Sequence, residues 1–148
     1  KLDVPGFGKV VRNLYIARFS ETLSTLIKSG VPILQGLEVT SDVIGNSIFK
    51  RIILEARENV RSGGTISETL SRFEEFPPLV SSMLSVGEKT GRTDYMLDTL
   101  LKFYKSESEH DIQNISALIE PALILVLGFG VAILVASILL PIYSLVGA

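Results

Sequence analysis

The side chains that carry most enzyme chemistry are scarce in this chain. It has one histidine, His110, and no cysteine. That removes a thiolate nucleophile, a disulfide framework, and zinc sites built on cysteine or on a histidine pair. Glu107, Glu109 and Asp111 form a small acidic patch. A hard divalent cation needs several converging oxygens, and three acids spaced by two on a helix do not share a face. They read as solvated charge. Neither a Gly-x-Ser-x-Gly elbow nor a Gly-x-x-x-x-Gly-Lys-Ser/Thr phosphate loop occurs. The chain therefore reads as a non-enzyme, with no catalytic, cofactor or metal residues to assign.

What remains are residues suited to holding other molecules. Glu88 lies in the run Gly87-Glu88-Lys89-Thr90-Gly91. Its carboxylate could hold a partner, or fix an angle between helices through backbone N–H groups. The plainer reading is a tight helix–helix turn made by Gly87 and Gly91, and the use of glycine at such turns favours it. Gly30 and Pro32 mark a similar stop and start. Lys50, Arg57 and Arg61 are seven and four residues apart, hence on one side of a helix. They could meet an acidic protein surface or lipid phosphates, although a solvated face is the commoner role for such charge. A formal net charge of −2 with mixed signs offers no field for nucleic acid.

These residues need helices to position them. Residues 1–9 read as a linker, rich in proline and glycine. A first helix begins near Val10, with Ile16, Phe19, Leu23, Leu26 and Ile27 on one face and Arg18, Glu21, Thr25 and Lys28 on the other. Pro32 suits the first turn of a second helix burying Leu37 and Ile44. Asn46 caps a third, from Ser47 to about Arg61, in which Arg51 can pair with Glu55. Thr65-Ile66-Ser67-Glu68 matches a capping box opening a short fourth helix. Pro78 starts a fifth, and Thr93 caps a sixth that can run on without a strong stop. No segment alternates with period two, so the fold class is all-α: an antiparallel six-helix bundle over 10–114 followed by one C-terminal transmembrane helix.

The membrane helix is the clearest element. Pro121 to Leu140 contains no charged residue. At ~1.5 Å per residue such a helix spans the roughly 30 Å hydrocarbon core of a bilayer. Every charged residue lies at or before Glu120, and the last basic one is Lys105. Lys102 and Lys105 on the near side, with no basic residue beyond, predict a cytoplasmic bundle. Residues 115–141 form the membrane segment with its approach, and 142–148 a short extracytoplasmic tail. Glu120 sits at the mouth of the span, where it faces either a partner or interfacial water. Pro121 acts there as a first-turn residue or a kink. Gly128, Ala132 and Ala136 recur every four residues, and this face lets another helix approach closely.

Together these runs resemble the type II secretion F family, the inner-membrane platform proteins of type II secretion systems and type IV pili. The resemblance is carried by PGFGKVVR (Pro5 to Arg12), RFSETLSTLIKSGVPILQGLEV (Arg18 to Val39), GGTISETL (Gly63 to Leu70), FPPLVSSMLSVGEKTG (Phe76 to Gly91), Glu120-Pro121 and the closing LLPIYSLVGA. It implies a scaffold in the bacterial inner membrane that couples a cytoplasmic assembly ATPase to extraction of pilin or pseudopilin subunits. It also implies homo-oligomerisation and contact with other inner-membrane machine components. Family members carry two such helical domains, so the expectation is the C-terminal half of a longer protein. A membrane-anchored helical adaptor or sensor unrelated to secretion is the alternative.

Overall fold

The computed structural model describes residues 7–147, and within them every regular element is a helix. They are α1 (Phe7–Lys28), α2 (Ile33–Val43), α3 (Ser47–Arg61), α4 (Ile66–Leu70), α5 (Pro78–Thr90) and α6 (Thr93–Val146). Residues 7–9, expected in the linker, open α1, because Gly8 costs little in a first turn. The rest of that linker lies outside the described residues. The chain divides into two units, Lys1–Glu109 and His110–Ala148.

The first unit closes around one core. Ile16, Phe19 and Leu23 from α1, Leu37 from α2 and Ile52 and Ile53 from α3 are wholly buried. So are Leu70, Leu84, Leu97 and Leu100 from α4, α5 and α6. Phe19, Phe49 and Phe76 meet edge to face, with centroids 5.3–5.4 Å apart, a favoured arrangement for aromatic pairs. Helices this short rest chiefly on that shared burial rather than on intrinsic propensity.

The punctuation follows side-chain chemistry. Asn46 accepts from the N–H groups of Ile48 and Phe49 at 2.9 and 3.2 Å, capping α3 as expected. Gly30 and Gly91 leave α1 and α5 with φ of 83° and 70°, a region costly for a residue with a Cβ. The N–H of Val31 then bonds the carbonyl of Leu26, and that of Arg92 the carbonyl of Gly87.

Several local expectations change. Pro32 is the N-cap of α2 rather than a first-turn residue, and its carbonyl accepts from Gly36 at 2.8 Å. Arg92, not Thr93, precedes α6, and its carbonyl accepts from Met96. Glu55 is approached by Arg72 at 3.8 Å from across the fold, not by Arg51. Gly87 is not a turn residue at all. It sits inside α5, where an added Cβ would lie 3.0 Å from the Cα of Thr93 and 2.9 Å from Met96 Cγ. Glycine is needed there so that the start of α6 can close on α5.

That contact is testable. Gly87→Val should destabilise the bundle by about 1–3 kcal/mol through overpacking. Gly8→Ala, where a Cβ meets nothing within 4 Å, should be neutral or mildly stabilising. Denaturant unfolding of the detergent-solubilised chain, followed by circular dichroism, measures both.

Candidate functional site

The residues singled out by sequence gather in three places, and the first centres on Glu88. α4 has five residues, too few to hold itself as a helix. Its opening N–H groups need acceptors. Thr65 Oγ1 takes the Glu68 N–H at 3.2 Å, which is half of the expected capping box. The other half does not form: Glu68 Oε2 instead accepts from Asn59 Nδ2 at 3.4 Å. Glu88 supplies what is missing. Its Oε1 accepts from Ile66 N at 2.6 Å and its Oε2 from Ser67 N at 3.2 Å. A carboxylate in the last turn of α5 sits unfavourably at the negative end of its own helix. At the positive N-terminus of α4 it is well placed, so this bond ties the end of α5 to the start of α4.

A second buttress was not visible in the sequence. Asp98 of α6 accepts from Ser24 Oγ at 2.6 Å and pairs with Lys28 of α1. Sequence periodicity put Lys28 on the solvent face, and its partner lies 70 residues away. No local pattern could reveal it. The hydrogen bond from Lys28, then that from Ser24, holds the Asp98 carboxyl below the usual carboxylate range. Nearby, the Arg92 guanidinium lies 4.8 Å above the ring of the exposed Tyr95, a cation–π contact.

Lys50, Arg57 and Arg61 of α3 are each paired within the chain. Lys50 bonds Asp42 at 2.9 Å. Arg57 reaches Glu38 at 3.2 Å and Glu58 at 2.7 Å, and Arg61 lies 3.8 Å from Glu58. Hydrogen bonding to Glu58 raises the Arg57 pKa, and the same bond lowers that of Glu58. All are solvent-facing pairs, which contribute little to stability. Arg57 and Arg61 border a groove with Leu34, Gln35 and Glu38, while Lys50 does not reach it.

The second unit is the far part of α6. It is the one helix among the described residues that is long and apolar enough to cross a membrane. Glu120, Gly128, Ala132 and Ala136 are all exposed on it. Pro121 and Pro141 lie inside the helix, so Pro121 is not a first-turn residue. Ser137, the polar side chain within the apolar stretch, donates to the Ile133 carbonyl at 2.8 Å. That spares hydrocarbon an unsatisfied hydroxyl. Among the described residues no group of three or more acids or histidines is placed to hold a metal ion.

Comparison with known proteins places this arrangement. Residues 19–141 match the family described as Type II secretion system (T2SS), protein F. The chain is 38% identical over 148 residues to the type IV pilus assembly protein PilC of Thermus thermophilus, covering 99% of this chain and 36% of that protein. It is 41% identical over 147 residues to the protein of the same name from Myxococcus xanthus, covering 99% of this chain and 35% of that one. It is 35% identical over 144 residues to the type II secretion system protein F of Pseudomonas aeruginosa, covering 97% and 36%. The chain thus spans about a third of the length of these relatives.

Two outcomes follow from the buttresses. Glu88→Ala should cost about 1–3 kcal/mol, the usual penalty for leaving buried donors unpaired, read as a lower midpoint in urea. Asp98 gives a pH dependence. Its folded pKa is depressed, so its contribution is present above the unfolded carboxylate pKa and is lost as pH falls through the folded one. The midpoint of the native chain should drop through and below the carboxylate range. Asp98→Asn should flatten that part of the profile.

Proposed function

The chain belongs to the type II secretion system protein F family, and we propose that it forms part of the inner-membrane platform of a type IV pilus or type II secretion machine. One observation carries this reading. The family match runs over residues 19–141, so it takes in both the helical bundle and the apolar helix. Relatives aligned over nearly the whole chain are called pilus-assembly and secretion-system proteins.

In this reading residues 10–114 form the cytoplasmic bundle, 115–141 the membrane segment and 142–148 the far side. Lys102 and Lys105 favour that orientation. The work is mechanical rather than chemical. An assembly ATPase moves the bundle, whose core and buttresses let it respond as one body. α6 carries bundle residues Leu97 and Leu100 and, further along, the apolar stretch, so the same helix serves both. The span then acts on pilin or pseudopilin subunits in the bilayer, with Gly128, Ala132 and Ala136 as the face for close approach. Glu120 and Pro121 mark where α6 meets the membrane. Further copies of the chain and other inner-membrane components complete the platform, and nucleic acid has no part in it.

Lys50, Arg57 and Arg61 offer a trial contact for the ATPase, because surface pairs exchange partners at little cost.

The test uses the full-length protein in a strain lacking its gene. Gly128→Leu combined with Ala132→Leu should abolish subunit assembly at normal protein level in the membrane. Assembly at the native rate would reduce the span to a tether and contradict the reading.

A further inference from the structure

The turns joining α1 to α2, α3 to α4 and α5 to α6 meet around a cleft of about 420 Å³. That is within the roughly 300–1,000 Å³ typical of clefts that hold ligands. Val31, Ile33, Val60 and Ile66 supply its apolar wall, and Glu88 and Asp94 bring carboxylates to it. No lysine or arginine is among the described residues lining it. Val31, Ile33 and Val60 stay half-buried, so apolar surface remains open to water beside two negative charges.

We propose that this cleft docks a partner polypeptide presenting a lysine or arginine beside a bulky aliphatic residue. The charge argument is specific. A carboxylate has about four acceptor positions, and the two N–H groups of α4 occupy only part of that capacity on Glu88. The same bonds hold Glu88 in place, so it meets a cation already ordered. The Asp94 carboxylate has no hydrogen-bond or ion-pair partner among the described residues. Two neighbouring cations are engaged elsewhere: Lys28 pairs with Asp98, and Arg92 lies over Tyr95. A basic side chain from outside lays its aliphatic stem on the wall and its head on the carboxylates. Its aliphatic neighbour covers Val31 and Ile33.

The cleft predicts a preference that short probes can read. The full chain, labelled on isoleucine and valine methyls and held in nanodiscs, is titrated with acetyl-Leu-Arg-amide and with acetyl-Leu-Glu-amide. The expected result is saturable shifts of the Val31, Ile33, Val60 and Ile66 methyls with the first. Binding of the second should be roughly ten-fold weaker, the equivalent of one charge-assisted hydrogen bond. Asp94→Asn should lose that preference, and Asp94→Glu should keep it. Equal binding of both probes, no saturable shift, or a preference that survives Asp94→Asn overturns the proposal. Methyl shifts that depend on protein concentration alone also overturn it, because a second copy of the chain then fills the cleft.

Discussion

The bond between the Glu88 carboxylate and the backbone of Ile66 and Ser67 is the constraint on which the bundle's turn end depends. α4 is too short to persist by its own hydrogen bonds. It lies between α3 and α5, and it buries Ile66 and Leu70 in the core. If its start frays, that apolar contribution goes with it. Glu88 reaches α4 only because the last turn of α5 lies close by. Within that same last turn Gly87 lets α6 approach to contact distance. The carboxylate and the glycine, neighbours in sequence, thus fix two joints at once.

The remaining physics is set by two solvents. Up to Glu120 the chain carries mixed charge and packs a core. Beyond it the chain carries no charged side chain, and it stays helical to Val146, the form that hydrocarbon demands of a single spanning segment. Within the first unit two ion pairs between residues far apart in sequence, Lys28 with Asp98 and Lys9 with Glu107, both join α1 to α6. The helix that becomes the span is therefore held to the first helix of the bundle by charge as well as by Leu97 and Leu100.

Much of this was legible in the residues themselves. Asn46, Thr65, Gly30 and Gly91 act locally, through their own side chain or backbone, and each sits where its chemistry placed it. Periodicity found Ile16, Phe19, Leu37, Ile52 and Leu97 for the same reason. The misreadings share a cause. Gly87 looked like a turn residue because glycine often is one, but its role is set by Met96 and Thr93 on another helix. Lys28 looked solvated because Asp98 is distant in sequence. Half of the capping box at Thr65 does not form because Glu68 accepts from Asn59 of α3 instead, while Glu88 of α5 takes the Ile66 and Ser67 N–H groups. Lys50, Arg57 and Arg61 read as one face, but Lys50 stands apart from the groove that Arg57 and Arg61 border, and the acids that pair with the three lie partly on α2. Tertiary partners decide such cases, and a one-dimensional pattern does not contain them.

The central physical claim is that a side chain from α5 holds the first turn of α4. Native-state amide hydrogen exchange on the full chain tests it most directly. If Glu88 holds that turn, the Ile66 and Ser67 amides exchange as slowly as the core amides of α5, through the same cooperative opening. Exchange of these two amides at loop rates, while α5 stays protected, would contradict it.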